Sequence, residues 1–432
     1  MLAAAATTSS VHQTEQLVFF TLLQLIVILL GARVAGNLAR RFGQPRVVGE
    51  IIGGLLLGPS LAGRLAPDLF DYVFQSTSPI PLQILSQIGL TMLMFQIGLE
   101  FDFSHLGRLN NRATVVAVSA TGIALPFVLG FGLGIWSGPA LAPEVNALGY
   151  RLFLAVALSI TAIPILGRIM MEYDLHRTRL GAIAITAAAI DDVTGWVLLA
   201  VVSALTTAHF STPVFGRQVV LLLVYAAACL WVVRPGLHRL VNYLQRQGDP
   251  LSPNLLALML SIIFLSGLIT YKLGIFAIFG GFMMGVLLHD HQPFVAAWKK
   301  SVVSFVNVFF LPIFFTFTGL RTNVNALDTA ALWGWCAAII AAATLGKFCG
   351  CTLAARFCGM NWEESSCLGI MMNTRALMEL IVINIGFELG VIPATVFTML
   401  VLMAIVSTVV TAPLLRIYLR RMGHMIPRRP DV

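Results

Sequence analysis

Residues 179–207 read RLGAIAITAAAIDDVTGWVLLAVVSALTT. Beyond Arg179 the only charged side chains in this stretch are Asp191 and Asp192, set near the middle of an apolar run. A helix of that length crosses the roughly 30 Å hydrocarbon core of a bilayer at about 1.5 Å per residue. A membrane β-strand is excluded, because the apolar residues are continuous rather than alternating. The two carboxylates lie about twelve residues from the Arg179 end, hence roughly 18 Å along the axis and close to the midplane.

The remainder of the chain has the same character. Of 432 residues, 58% are hydrophobic and 11% charged, with a mean hydropathy of +0.89, whereas a soluble domain carries about 25% charged residues. Too little polar surface is available to coat so much apolar side chain in water. A soluble enzyme, a disordered chain and a secreted disulfide scaffold are excluded, leaving an all-α polytopic membrane protein. Thirteen apolar runs follow one another, at about 16–39, 45–58, 82–101, 113–136, 150–171, 179–207, 216–235, 254–271, 275–289, 302–320, 330–356, 364–388 and 393–419. Each is read as a transmembrane helix.

The Lys and Arg residues orient these spans. With the N-terminus outside, twenty of the 27 fall in inner loops and the C-terminal tail and five in outer loops. Basic residues concentrate on the cytoplasmic side of membrane proteins, so the C-terminus is expected in the cytoplasm. The net charge of +8 is thereby a topology signal that calls for no nucleic-acid partner. The two basic residues left over, Lys347 and Arg375, stand at membrane depth. The start of the chain, MLAAAATTSSVHQTEQ, lacks a basic n-region, so a cleaved signal peptide is not expected. The six cysteines lack metal-ligand spacing and read as small buried hydrophobes.

Two spans are interrupted. In the fifth, LSITAIPILG places Thr161 and Pro164 near the middle of an apolar helix; in the twelfth, MMNTRALMEL places Asn373, Thr374 and Arg375 there. The interruptions are seven spans apart, and an odd offset inserts the second copy upside down relative to the first. That is the pattern of inverted-repeat secondary transporters. The repeats predicted are about 16–207 and 254–419, with the seventh span as linker.

Ionisable residues within spans are costly and mark function. Adjacent carboxylates on a helix point about 100° apart, so one is expected to face a water-filled cavity and the other a cation within the protein. Lys347, in ATLGKFCGC of the eleventh span, is the candidate cation, and a buried Asp–Lys pair would store a proton that another cation can release. Arg375 and Glu379 stand i, i+4 and can pair on one helical face, or instead compensate the dipoles of the two half-helix ends; either way a structural role is expected over direct ion contact. Thr161 adds an uncharged oxygen at the first break, giving with the carboxylates the hard environment an alkali cation prefers. Glu100, in GLEFD at the inner end of the third span, reads as lining an inner vestibule. GEIIGGLLLGPS in the second span reads as close helix packing.

With these residues in place, the sequence resembles the monovalent cation:proton antiporter-2 family, which includes bacterial sodium/proton exchangers and plant cation/proton exchangers. The matching pieces are GEIIGGLLLGPS, GLEFD, TAIP, IDDVTGW, LGKFCG and MNTRALMELIVINIG, spread over about residues 47 to 390. The resemblance implies two crossed, interrupted helices in a mobile core domain and a separate domain that forms a homodimer. It implies that Asp192 binds the proton and the transported Na+ or K+, and that Asp191 pairs with Lys347. An Asp-Asp pair with this lysine resembles the electrogenic members. The larger potassium-efflux relatives carry a soluble nucleotide-binding domain, which is not expected in a sequence ending at Val432.

The function expected is exchange of a monovalent cation, Na+ favoured and K+ possible, for protons by alternating access. No enzyme activity and no cofactor beyond the transported ions are expected. The location implied is a bacterial inner membrane. A cation channel is the alternative, against which stands the absence of a carbonyl-ring filter such as TVGYG. An intramembrane aspartyl protease would need its two aspartates on separate helices, and no GxGD sequence occurs.

Overall fold

The computed structural model describes residues 2–42, 44, 46–100, 112–161, 166, 170, 175, 178–207, 212–245, 251–375 and 377–422. These are nearly all helical and contain no strand. The chain divides into two compact units, one of Met1–Leu38, Gly49–Phe101 and Leu221–Asn323, the other of Ala39–Val48, Asp102–Val220 and Val324–Val432.

The first unit holds most of α1 (Leu2–Arg41) and α2 (Arg46–Leu56), with α3 (Ile80–Leu99). It also takes the C-terminal part of α7 (Thr212–Ala228), which continues through one π-helical turn into α8 (Arg234–Gln245). Then come α9 (Pro253–Lys272), α10 (Ala277–Leu288), α11 (Gln292–Trp298) and α12 (Leu311–Arg321). The second unit holds α4 (Arg112–Leu141), α5 (Ala147–Ser159), α6 (Arg179–Thr207), α13 (Ala330–Phe357), α14 (Trp362–Met372), α15 (Leu377–Glu388) and α16 (Ala394–Arg421).

Every one of the thirteen apolar runs carries helix. Among the described residues, eight helices are long and apolar enough to cross a membrane, and two further pairs are bent at short breaks. One is α14 with α15, bent by 44° at the Asn373–Arg375 interruption. The other, Gln292–Val303 with Val306–Ala326, is bent by 42° in a run that reads as one straight span. Its π-helical turns at Lys299–Val303 and Val306–Phe310 each take an extra residue into the coil, which redirects the axis. No proline or glycine announces that bend within 299–310.

Side-chain caps set several helix starts. Asn146 accepts the backbone N–H groups of Leu148 and Gly149 to begin α5, and Ser252, Thr329 and Asn361 do the same for α9, α13 and α14. In the first unit, the glycines of GEIIGGLLLGPS bring α2 against α12. A Cβ on Gly54 would stand 2.7 Å from the backbone carbon of Phe315, and one on Gly58 would meet the Gly319 carbonyl.

The α11 cap in the same unit is a histidine. His291 Nδ1 accepts the backbone N–H of Phe294 at 3.3 Å, so the proton sits on Nε2 and is donated to Asn242 Oδ1 at 3.0 Å. Protonating Nδ1 would break the cap. Burial, and secondarily the neighbouring His238, lower the His291 pKa from the ordinary 6.5, against the opposing pull of its backbone hydrogen bond and Asp290. The unfolded chain therefore binds a proton that the folded chain resists. The contribution of His291 to stability is complete above 6.5 and is lost as the pH falls through its lower folded value. Thermal unfolding of the detergent-solubilised protein should show Tm declining as the pH falls from 6.5 through the lower folded value. In His291→Asn, which keeps a cap acceptor and does not titrate, the decline should be shallower; an unchanged slope would remove His291 from the account.

In the second unit, α4 packs against α5 and α13. Thr121 Oγ1 donates to the Gly350 carbonyl of α13 at 3.0 Å, and Ser137 and Tyr150 join α4 to α5 at 2.9 Å. Helix α5 ends at Ser159, and Ile160 that follows is extended, with φ −76° and ψ 146°. The fifth span is thus interrupted just before Thr161. Pro164 lies outside the described residues.

Candidate functional site

Asp191 and Asp192 sit in the body of α6, both fully buried in the second unit. Being consecutive on a helix, they point in different directions, and their surroundings are opposite in kind.

Asp191 is saturated with donors. Lys347 Nζ of α13 lies 2.7 Å from Oδ2, Thr161 Oγ1 donates to the same oxygen at 3.0 Å, and Ser119 Oγ of α4 donates to Oδ1 at 2.6 Å. Lys347 is itself fully buried. Two charges removed from water lose several kcal/mol of solvation each, repaid only by good geometry and further hydrogen bonds. Ser119 and Thr161 supply those bonds. Gly122, one turn beyond Ser119, makes room for this cluster: a Cβ there would stand 2.7 Å from Cys351 Sγ, 3.7 Å from Asp191 Oδ2 and 3.9 Å from Lys347 Nζ.

Asp192 has no such company. Neither carboxyl oxygen has a hydrogen-bond partner among the described residues. Among the described residues, Ile160, Trp196, Met378 and Val382 line the narrow gap beside it, which has no room for a water molecule. An ionisable group held without partners in an apolar box is an expense to the fold. Such a group marks a functional site.

The two helix breaks meet beside this pair. Thr161 Oγ1 also lies 3.3 Å from the Met372 carbonyl at the end of α14, and Thr374 Oγ1 donates to the Met371 carbonyl at 2.8 Å. Arg375 and Glu379, both fully buried, pair at 2.9 Å as their spacing allows. The same guanidinium donates to the carbonyls of Ala157 at 3.0 Å and Leu158 at 2.6 Å, the last turn of α5, and to Ala343 of α13 at 3.2 Å. A cation on free carbonyls at a helix C-terminus satisfies both their hydrogen bonds and the dipole. Arg375 thus caps one broken helix from the other. Asn373 Oδ1 and Glu379 Oε1 are buried with no hydrogen-bond partner among the described residues.

Glu100 belongs to the first unit. It follows the last residue of α3, is exposed, and lies 3.8 Å from Lys299. Sequence reading did not anticipate Ser119, Gly122 or the Trp196 box. A serine within AVSATG has no periodicity to distinguish it, and apolar residues in an apolar helix do not declare which of them faces a carboxylate. All six cysteines are free, and no cluster of three or more His, Cys, Asp or Glu able to hold a metal occurs among the described residues.

Comparison with known proteins bears on this arrangement. The chain is 39% identical to the Na(+)/H(+) antiporter NhaS4 of Synechocystis, over 91% of this chain and 95% of that protein. It is 36% identical to Cation/H(+) antiporter 18 of Arabidopsis thaliana over 94% of its length, and spans about half (50%) of that plant relative. In fold it resembles the sodium proton antiporter MjNhaP1 of Methanocaldococcus jannaschii, with a TM-score of 0.61 at 16% identity, covering 95% of this chain and 98% of the other. The family model described as "Sodium/hydrogen exchanger, transmembrane" matches residues 25–421, a stretch that contains both breaks, the aspartates and Lys347. The chain therefore belongs to the sodium/hydrogen exchanger family of multi-pass membrane proteins.

Proposed function

We propose that the protein exchanges a monovalent cation for protons across a membrane by alternating access, with Asp192 as the carboxylate that holds each in turn. The observation that carries this reading is the contrast on α6: Asp191 is engaged by three donors, while Asp192 is buried with both oxygens unsatisfied among the described residues. A carboxylic acid tolerates such a box far better than a carboxylate does. Releasing the proton therefore requires the box to open and a cation to take its place. One site that binds either ion but not both couples their movements without further machinery.

In the proposed cycle a hydrated Na+ or K+ loses water to Asp192 as the proton leaves. The entering charge weakens the Asp191–Lys347 attraction, and Lys347 releases a second proton. Two protons then move against one cation, and exchange is electrogenic. Arg375, Glu379, Asn373 and Thr374 hold the broken helices in register, and Pro164 would limit the first one. Thr161 serves Asp191 and the opposite break together, so a change at the ion pair reaches both broken helices. We assign the chain an inverted repeat of about 16–207 and 254–419, a homodimeric assembly, and a place in a bacterial inner membrane with its N-terminus outside. Glu100 is placed at the inner vestibule.

Proteoliposomes test this directly. An imposed proton gradient should collapse on adding sodium or potassium chloride, saturably, and the rate should respond to a membrane potential. Cation flux that ran without any proton movement would favour a channel instead.

A further inference from the structure

Among the described residues, the box around Asp192 is assembled from three separate elements. Ile160 is the extended residue that follows α5, Trp196 stands one turn beyond Asp192 on α6, and Met378 and Val382 stand i, i+4 on α15. Each broken helix thus contributes a wall, and α6 contributes its largest side chain. The fit is close: a Cβ on Gly195 would stand 3.0 Å from Ile160 Cγ1, so the glycine before Trp196 makes the notch in which Ile160 lies. Trp196 is 5% exposed and Asp192 not at all.

We propose that Ile160, Trp196, Met378 and Val382 form a hydrophobic seal over Asp192, and that the Trp196 indole is the leaf whose displacement admits water and ions. This rests on the reading of Asp192 as the exchanging carboxylate. Apolar constrictions close a polar path by excluding water, without needing a steric plug. Among the four residues, Ile160 is held in the Gly195 notch, and Met378 and Val382 ride on α15, whose start is tied by Arg375 to α5. Trp196 shares α6 with its carboxylate, so in this proposal the leaf moves as a side chain, independently of the two broken helices. Trp196 is therefore a positioning residue: it controls how often Asp192 meets water and does not itself hold the ion. The seal keeps a proton on Asp192 from escaping until a cation is at hand, which prevents slippage between turnovers.

The test is the reactivity of Asp192 toward a water-soluble carbodiimide with glycinamide as the trapping amine, in the full chain in proteoliposomes, with the modified residue located by peptide fragmentation. Trp196→Ala and Val382→Ala should each label Asp192 at least about tenfold faster than the unmodified protein, because each opens a wet path in the apolar wall. Trp196→Phe, which keeps an aromatic leaf, should return the rate close to the original. Leu198→Ala, on α6 but outside the box, should not change it. Trp196→Ala should also dissipate a proton gradient several-fold faster when no alkali cation is present. Labelling of Trp196→Ala and Val382→Ala at the original rate, with both variants folded, would overturn the seal. Should Asp192→Asn keep full exchange, the functional reading fails while the labelling result still decides the seal; should only the labelling rates stay unchanged, the seal fails and the exchange reading stands.

Discussion

Asp192→Asn should abolish exchange with sodium, potassium and lithium alike, to the level of empty vesicles, while leaving the unfolding temperature unchanged or raised. The two halves of this expectation have one cause. Among the described residues Asp192 makes no hydrogen bond in its apolar box, so the fold gains nothing from it that an amide of the same shape would forfeit. A structural aspartate would behave in the opposite way: removing a partner from a buried network leaves the rest unsatisfied and costs stability. The amide cannot take or release a proton near neutral pH and offers a cation no charge, so the competition that couples the two ions disappears. Gradient dissipation read with a pH-sensitive dye gives the first half, and unfolding followed by intrinsic fluorescence gives the second. Exchange that persisted with any of the three cations would remove Asp192 from the centre of the mechanism. A large fall in Tm alongside lost transport would recast it as a structural residue.

Much of this site was legible in the sequence because charge is scarce there. In a chain with 11% charged residues, AAAIDDVTGW and LGKFCG stand out against their apolar surroundings, and the i, i+4 spacing of Arg375 and Glu379 brings the pair within reach although Arg375 stands in the break just before α15. What remained hidden is what depends on distant segments meeting. Ser119 reaches Asp191 across 72 residues of chain, and Lys347 reaches it across 156. The lysine is legible because burying it alone is prohibitive, whereas a serine in an apolar helix can satisfy itself on its own backbone and so carries no such demand. Arg375 shows the same division: its bond to Glu379 follows from spacing, but its capping of the Ala157 and Leu158 carbonyls needs the two breaks to come together. The Trp196 box was silent for a further reason. Hydrophobic periodicity separates lipid-facing from protein-facing sides only where the two differ in composition, and in a membrane helix both are apolar. The bend between Val303 and Val306 was missed because π-helical turns have no residue signature comparable to proline.

Lys347→Met should cost about 3–5 kcal/mol of stability, since it strands the Asp191 carboxylate at full burial. Ser119 and Thr161 would still donate to it, but hydrogen bonds without the neighbouring charge do not replace lost solvation. Adding Asp191→Asn to that variant removes the stranded charge, and the double variant should recover most of the loss. The coupling energy measured this way should exceed about 2 kcal/mol, well above the error of such cycles. Transport should respond differently from stability. Asp192 is untouched in Lys347→Met, so exchange should survive in whatever fraction remains folded. Its voltage response should disappear, because one cation then trades for one proton instead of two. Following exchange rate against an imposed potassium-diffusion potential with valinomycin, at saturating sodium, separates the cases. A variant that still exchanges and still responds to potential would place the second proton on a group other than Lys347. A variant that is stable but inert would make the lysine part of the cation site itself, and the ion pair would then be a ligand and not a proton store.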